Sequence, residues 1–279
     1  MDVIKALAAR NIKIFWRNKP ALIMNLTLPF FFVFIFSAVF DNFVGEGGNS
    51  IIFLMSGIIA ALMFDSSFKI SSSTIDDITG GFMKEILVSP TSRIYIALGQ
   101  FISSALVATV QGTLILGISF AIGFRVTSIM TIIYSILAMI FIGFVFAGFG
   151  LMIATKSKNM QTFNAISMAI ITPMTFISGA YVPLAVLPNA VRWIGFFNPL
   201  TYAVSFFRTI TMELTDIPTA ELLQIDLAFE LFGITIGMFE SLLILAIFGT
   251  IFLILSAISF SKLDFSKMNR AKATFDMWS

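Results

Sequence analysis

Long uncharged runs alternate with short charged segments along the whole chain. Six runs lack Asp, Glu, Lys and Arg and approach or exceed the roughly 20 apolar residues that a helix needs to cross a bilayer. They cover residues 20–40, 47–64, 94–124, 126–155, 159–191 and 241–261. The pattern predicts an all-α polytopic membrane protein whose six transmembrane helices form one domain over residues 1–279.

The distribution of Lys and Arg predicts how these spans are oriented. Fourteen of the 17 basic residues fall in four segments that would share one side of the membrane. Those segments are residues 1–20, 65–93, 155–161 and 262–279. Because basic residues are enriched in cytoplasmic loops, we expect a cell-membrane protein with both termini in the cytoplasm and residues 262–279 as a cytoplasmic tail.

Residues 1–19 have the pattern of an amphipathic helix that precedes the first span. The basic face carries Arg10, Lys13 and Arg17, and the apolar face carries Ile4, Leu7, Ala8 and Phe15. Such a helix lies in the headgroup plane of a membrane. A basic flank with no specific role would give the same residues. Pro20 would then allow a turn into the first span.

Composition supports lipid as the main solvent and removes several kinds of chemistry. The chain is 58% hydrophobic and 11% charged, whereas about a quarter of the residues of a soluble protein are charged. It contains no cysteine and no histidine, which excludes disulfides and thiol chemistry. The absence of histidine also removes the usual acid–base group at neutral pH.

The segment 182–236 is predicted to lie on the outer side without forming one simple loop. Pro183, Pro188 and Pro199 interrupt its apolar first half. The uncharged stretch 193–207 has the length of a pair of re-entrant or interfacial helices. Residues 211–236 are more acidic and are expected to lie in water.

Asp65 and Lys69 are two oppositely charged residues that directly follow the second apolar run. They are four residues apart and therefore share a helix face, near the cytoplasmic end of span 2. One interpretation is an interfacial ion pair that the lysine reaches by snorkelling. The other is an inner gate or a site that the substrate touches. Elsewhere the middle of the spans offers only Gln111, Ser, Thr and Asn, which argues against an ion-coupled carrier.

The sequence contains no recognisable energy-coupling or catalytic motif. The stretch "GGFMKEI" lacks the spacing of a phosphate-binding loop, and no buried strand precedes it. We therefore predict that the chain is not itself an ATPase and holds no cofactor or metal. Any energy for work would come from another protein.

The charged segment 73–93 between spans 2 and 3 has signals for a short helix. Ser73 or Thr74 can cap it, and Asp76 and Asp77 suit its first turn. Ser89-Pro90 would end the following piece, and Arg93 would mark the membrane interface. A solvated loop without a partner is the alternative interpretation.

Two stretches resemble the type-2 ABC transporter permeases, the membrane subunits of drug, polysaccharide and related exporters. The first is "GGFMKEILVSPTSRIYIALGQ", with the family's glycine, charged pair, Leu-x-Ser-Pro and basic residue. These fall on Gly80, Gly81, Lys84, Glu85, Leu87, Ser89, Pro90 and Arg93. The second is "NPLTYAVSFFRTI", which is similar to the family's Asn-Pro-Leu-x-Tyr stretch followed by an arginine. It provides Asn198, Pro199, Leu200, Thr201, Tyr202 and Arg208.

The resemblance implies a division of labour between two kinds of subunit. The permease would form a homodimer, or a heterodimer with a second permease, and bind two copies of an ABC ATPase that holds ATP and Mg. Segment 73–93, including Asp76 and Asp77, would dock in the ATPase as a coupling helix. Substrate would leave near the re-entrant helices between spans 5 and 6, which form the outer gate.

The expected function is therefore ATP-driven export of a small hydrophobic, drug-like or lipid-like molecule. Apart from these subunits the expected partner is membrane lipid, with no nucleic acid. An ion-coupled secondary transporter or a channel that acts without an ATPase is the main alternative, followed by a membrane scaffold that transports nothing.

Overall fold

The computed structural model of the chain describes residues 2–44, 50–79 and 93–261. Most of these residues are helical, as the apolar runs predict. The helices are α1 (Asp2–Arg17), α2 (Lys19–Val44), α3 (Ser50–Ile70), α4 (Ser73–Thr79), α5 (Arg93–Ile122), α6 (Ile129–Lys156), α7 (Met160–Ile177), α8 (Asn189–Phe196), α9 (Pro199–Thr211), α10 (Thr219–Gln224) and α11 (Met238–Ser261). A 3-10 turn lies at Leu184–Val186, and β1 (Phe229–Leu231) pairs antiparallel with β2 (Ile234–Ile236).

The first two helices form a sharply bent pair, as expected from the amphipathic first segment. The chain turns by 77° between α1 and α2. Asn18 lies at the break, and its Oδ1 accepts a hydrogen bond from the backbone N–H of Ala21 at 3.4 Å. Pro20 is the second residue of α2, where a missing backbone N–H leaves no helical hydrogen bond unmade. The break therefore falls at Asn18, two residues before the proline.

Four helical stretches in the described residues are long and apolar enough to cross a membrane. These are Ile51–Asp77, which joins α3 to α4, Tyr95–Ala121 in α5, Ile129–Lys156 in α6 and Met238–Ser259 in α11. The bent pair of α1 and α2 would provide a fifth. The fold is thus a helical membrane protein with four to five membrane-capable spans, and the count of six remains a prediction.

The fifth apolar run, 159–191, is longer than the helix it contains. Helix α7 ends at Ile177, and Gly179 then adopts φ 85°, a left-handed conformation that favours glycine. Pro183 and Pro188 keep the following residues out of a continuous helix. Hydropathy alone extends this span too far, because it does not register these backbone restrictions.

Helix α3 is the central element of the bundle. It packs on α5 and α6 along its length, and on α9 near its first turns. The Phe64 and Phe146 rings, from α3 and α6, lie 4.6 Å apart between centroids. Such aromatic pairs contribute about 0.5–1.5 kcal/mol beyond the area they bury. The large apolar core of the described residues is organised around this helix.

Close contact between α3 and α6 depends on Gly150. A Cβ atom at this position would lie 2.6 Å from the Phe68 carbonyl oxygen and 2.8 Å from Ser71 Oγ. Phe68 lies in α3 and Ser71 directly follows that helix. The Phe68 carbonyl oxygen is a backbone atom, which cannot rotate away. Gly117 in α5 has no atom within 4 Å of such a Cβ and provides a matched control.

We expect Gly150→Ala to destabilise the protein by about 1–3 kcal/mol, because the added methyl group overpacks a helix contact. Gly117→Ala should be neutral or stabilising, since alanine favours a helix over glycine by about 1 kcal/mol. Thermal unfolding in detergent, followed by fluorescence-detected size-exclusion chromatography, would measure both changes. Equal midpoints for the two variants would contradict this packing.

Candidate functional site: polar networks at the two ends of α3

One polar network ties α1 to α4 at what we call the α1 end of the bundle. Arg10 donates to both carboxylate oxygens of Asp77, at 2.7 and 2.8 Å. Gln100 of α5 donates its Nε2 to Asp77 Oδ2 at 2.5 Å. The Asp77 side chain is only 8% exposed. A bidentate guanidinium–carboxylate pair is among the strongest hydrogen-bonded contacts that proteins make.

Helix α1 is also held along α5 by its apolar face. Leu7 and Ala8 are buried, in agreement with the predicted apolar face, and Leu7 lies against Gly99 of α5. Next to them, the Asn11 side chain donates to Ser103 Oγ at 2.6 Å. The amphipathic helix is therefore a docked part of the bundle.

The predicted ATPase-coupling residues fall into three groups. Asp77 lies in the network described above, whereas Asp76 is exposed on α4. Arg93 is the first residue of α5. Gly80, Gly81, Lys84, Glu85, Leu87, Ser89 and Pro90 lie outside the described residues. The sequence predicted Asp77 as part of the ATPase-docking segment, and that role stays a prediction. Its contact with Arg10, 67 positions away, gave no local signal in the sequence.

The ion pair of Asp65 and Lys69 forms as predicted, in the last two turns of α3. Lys69 Nζ lies 2.8 Å from Asp65 Oδ1 and 3.0 Å from Oδ2. At 1.5 Å per residue, Asp65 is about 22 Å from Ser50 and about 18 Å from Asp77 along the helix. Lys69 lies in the last turn of α3, so the interfacial ion pair and the inner gate both stay open as interpretations of this pair.

Contacts of the residues next to Asp65 show at which level of α5 and α6 it lies. The adjacent Phe64 contacts Phe146, which is about 15 Å from the Lys156 end of α6 and about 25 Å from its other end. On the other side, Ser66 Oγ donates to Gln111 at 2.9 Å, and Gln111 is about 16 Å from the nearer end of α5. One turn further along α3, Phe68 lies against Gly150, about 9 Å from the Lys156 end of α6, and stacks on Phe163, one turn from the start of α7.

A second polar network lies at the opposite end, where α8 and α9 form a helical hairpin. Asn198 caps α9 by accepting from Leu200 N at 3.0 Å, and its Nδ2 donates to the Met174 carbonyl of α7 at 2.7 Å. Thr201 donates to Gly195 O at 2.7 Å, and the Tyr202 hydroxyl donates to Phe196 O at 2.5 Å. The Asn-Pro-Leu-Thr-Tyr stretch thus closes the hairpin onto α7.

The rest of that motif lies inside the protein. Pro199 occupies the first position of α9, and it is buried together with Leu200 and the remainder of the helix. The structure therefore brings all six residues predicted for the outer gate into one compact hairpin.

Arg208 joins this hairpin to α3. Its Nε donates to the Phe53 carbonyl at 3.1 Å, and Nη2 donates to the Gly179 and Ala180 carbonyls at 3.2 and 3.3 Å. The guanidinium carbon lies 3.6 Å from the centroid of the Phe53 ring. Arg208 is 2% exposed, so these carbonyls and the ring replace the water that a buried cation loses.

Gly57 makes this arrangement possible and was not identified from the sequence. A Cβ atom there would lie 2.4 Å from the Ala180 carbonyl oxygen and would collide with the Arg208 guanidinium. A glycine inside an apolar run gives no signal of such a contact, because the neighbours come from residues more than 120 positions away. The structure shows that α3 requires a glycine at this position, because there is no room for a Cβ atom.

Glu213 connects the end of the hairpin to the start of α6. Its Oε1 accepts from the backbone N–H groups of Thr127 and Ser128 at 2.8 and 2.9 Å, and from Thr131 Oγ1 at 2.8 Å. These hydrogen bonds lower the pKa of Glu213 to about 2. The carboxylate is therefore ionised throughout the physiological pH range. Its negative charge is stabilised by the N-terminal, positive end of the α6 dipole.

Among the described residues, no group of three or more His, Cys, Asp or Glu side chains is placed to hold a metal ion. The two networks instead consist of side chains that hold helices together. A bundle of lipid-length helices with polar links at both ends is the architecture of a polytopic membrane protein.

Comparison with known proteins identifies the family. The family described as ABC-2 type transporter matches residues 2–212, which include α1 to α9. The chain belongs to this family. Membership makes it the membrane subunit of an ABC transporter, and such permeases work with ABC ATPase partners.

Curated relatives are similar over most of their length. Nodulation protein J of Rhizobium meliloti (strain 1021) is 26% identical over 196 residues, covering 69% of this chain and 74% of that protein. The inner membrane transport permease YadH of Escherichia coli (strain K12) is 22% identical, covering 77% and 85%. The putative transport permease ycf38 of Cyanophora paradoxa is 24% identical, covering 84% and 81%.

The contact between α1 and α4 can be tested by a double-mutant cycle. Arg10→Gln and Asp77→Asn should each loosen α1, and the double variant should lose less than the sum. We expect a coupling energy of about 1–3 kcal/mol, because the pair is largely desolvated. Denaturation in sodium dodecyl sulfate, followed by Trp16 fluorescence after Trp193→Phe and Trp278→Phe, would report on α1.

Arg17→Gln is the control for this cycle, since Arg17 is an exposed residue of the same helix. It should not change the midpoint. Strictly additive effects of the two main variants would show that the pair does not hold α1.

Proposed function

We propose that the chain is the permease subunit of an ABC exporter, with both termini in the cytoplasm. In this proposal two copies of the permease, or one copy and a second permease, bind two ABC ATPase subunits. The observation that carries the proposal is the family match over residues 2–212, which includes both predicted motifs.

In the proposed mechanism the ATPase acts on the segment that follows α4. Movement of that segment would reach Asp77 first, because this residue lies at the end of α4. From Asp77 it would pass to α1 through Arg10 and to α5 through Gln100. Asp77 would then transmit movement from the coupling segment.

The helical hairpin is the proposed outer gate. Arg208 fixes it to α3, and Asn198 fixes it to α7. Because α3 continues into α4, one helix links the coupling segment to the gate. We propose that this link opens an outward path for a small hydrophobic, drug-like or lipid-like molecule.

An ion-coupled carrier or channel is the second candidate, and the position of Asp65 and Lys69 within the lipid-length stretch Ile51–Asp77 favours it. Charged residues within membrane-spanning helices often belong to proton or ion pathways. Against it stands the family, whose members work with ATPases. The two candidates differ in whether transport requires a nucleotide-hydrolysing partner.

The test is to express the chain together with a candidate ABC ATPase and to ask whether the two co-purify. The purified complex is then reconstituted into liposomes. We expect stable association, and efflux only when ATP and the ATPase are present. Uphill transport by the permease alone would contradict the proposal and support the carrier.

A charge reversal separates ATPase coupling from membrane insertion. We expect Glu85→Lys to reduce ATPase binding at least about tenfold, because like charges oppose docking at a charged interface. Glu221→Lys in α10, where the residue is exposed at the opposite end of the bundle, is the matched control and should bind normally. Pull-down with tagged ATPase measures both, and full affinity for Glu85→Lys would refute the coupling assignment.

A further inference from the structure

The β-ribbon formed by β1 and β2 has one polar face and one apolar face. Glu230 pairs with Thr235, and both side chains are exposed on the polar face. The other two pairs of the register are entirely apolar, and they lie on the opposite face because side chains alternate along a strand. These pairs are Phe229 with Ile236 and Leu231 with Ile234. Such a ribbon is stable only when its apolar face packs against something else.

The protein covers only the base of this apolar face. Phe229 stacks on Phe196 of α8, with ring centroids 5.6 Å apart, and Ile236 beside it is buried. Towards the turn, the Ile234 side chain is 64% exposed, and Phe232, the first residue of the turn, is 77% exposed. The apolar surface of the ribbon therefore extends beyond the part that the described residues cover.

The turn of the ribbon carries an aromatic residue where the backbone favours asparagine or glycine. Phe232 and Gly233 form a two-residue turn, and both have positive φ values, 53° and 78°. Asn-Gly is the preferred pair in such turns, because a bulky side chain at positive φ is strained. Strain of this kind is concentrated at sites with a function. An apolar environment around the turn would account for an exposed phenylalanine at this position.

Helix α8 adds a second apolar surface next to the turn of the ribbon. The Trp193 ring lies 5.5 Å from the Phe232 ring, between centroids. Trp193, Ile194 and Phe197 are all exposed, and they lie within about 100° of each other around the axis of α8. We call these three residues, together with Phe232 and Ile234, the ribbon patch. It is an exposed surface of aromatic and aliphatic side chains without a charge.

The ribbon patch lies beside the ends of the long apolar helices. Ile236, the last residue of β2, is two residues before Met238, where the membrane-capable stretch of α11 begins, and β2 contacts α11. Phe239 in the first turn of α11 is exposed, so an exposed apolar surface of that helix begins directly after the ribbon. On the other side α8 meets the last turn of α7, since a Cβ atom at Gly195 would lie 3.0 Å from the Ile177 carbonyl oxygen. These contacts place the patch at the level where a lipid-length helix reaches the membrane surface.

We propose that the ribbon patch inserts into the interfacial layer of the lipid bilayer and anchors the β-ribbon and α8 there. The apolar face of the ribbon contacts lipid, whereas Glu230 and Thr235 on the polar face contact water. Trp193 fits this level because its ring is apolar and its indole N–H can donate to a lipid headgroup. Helix α8, with one exposed apolar face, has the pattern of a helix that lies in the interface.

The proposal changes one expectation and does not depend on the export function. The acidity of residues 211–236 indicates that they lie in water, and Glu230 on the polar face agrees with it. The turn of the ribbon is the exception, because its apolar side chains continue the surface of α8. Since α8 belongs to the helical hairpin, the lipid contact fixes the level of that hairpin relative to the membrane surface.

The experiment compares the two faces of the ribbon in the full chain, reconstituted alone into phosphatidylcholine nanodiscs. Because the chain contains no cysteine, Ile234→Cys and the matched control Thr235→Cys place nitroxide labels on neighbouring residues of opposite faces. Power saturation in electron paramagnetic resonance measures collisions with oxygen, which concentrates in lipid, and with a water-soluble nickel chelate. We expect the Ile234→Cys label to collide mainly with oxygen, at a depth of about 5–10 Å into the boundary of headgroups and acyl chains. The Thr235→Cys label should collide mainly with the nickel chelate.

A second measurement leaves the ribbon patch unchanged. Trp16→Phe and Trp278→Phe together make Trp193 the single tryptophan of the chain. Lipids brominated near the headgroup end of their acyl chains should quench Trp193 fluorescence more strongly than lipids brominated near the chain terminus, because an interfacial ring lies at the shallow level. Acrylamide, which quenches from water, should have little effect.

Equal collision of the Ile234→Cys and Thr235→Cys labels with the nickel chelate would place the ribbon in water and overturn the proposal. Protection of the Ile234→Cys label from both reagents would also overturn it, since a second copy of the chain or another protein would then cover the patch. Strong quenching of Trp193 by acrylamide, with none by brominated lipid, would contradict insertion of α8. Because the nanodiscs contain no ATPase, none of these results depends on the proposed coupling.

Discussion

The constraint on which this structure depends is that polar groups below the membrane surface must find partners within the protein. At both ends of α3, buried charged groups find their partners within the protein. At one end Arg208 is surrounded by three backbone carbonyls and the Phe53 ring, and at the other Asp77 binds Arg10 and Gln100. Leaving either charge unpaired would cost several kcal/mol, so each group fixes its neighbours strongly.

In the proposed mechanism, these two links would give α3 a mechanical role as well as a structural one. The helix is gripped by the hairpin of α8 and α9 at one end and continues into α4, which is tied to α1, at the other. The Asp65 and Lys69 pair lies between the grips and is the part of α3 whose charges are not enclosed. A family of permeases driven by separate ATPases requires a connection of this kind between its two membrane surfaces.

The sequence predicts the parts of this fold that depend on composition and local backbone preferences. The helical spans follow from the apolar runs. The cap that Asn198 forms on α9 was not predicted, although an Asn before a first-turn Pro is a local signal for it. The early end of α7 was also encoded, in Gly179 and two prolines, but hydropathy outweighed them. Contacts between distant residues could not be predicted, such as those of Arg10 with Asp77 and of Gly57 with Arg208.

The central claim is that Arg208 holds the hairpin to α3, and so to the α1 end. Because the chain contains no cysteine, spin labels can be placed at Ile14→Cys and Ile194→Cys without other changes, and both sites are exposed. Pulsed electron paramagnetic resonance should give one narrow distance distribution for the native arginine and for the exposed control Arg125→Gln. Arg208→Gln should broaden or shift that distribution, whereas a distribution as narrow and centred as the native one would contradict the account.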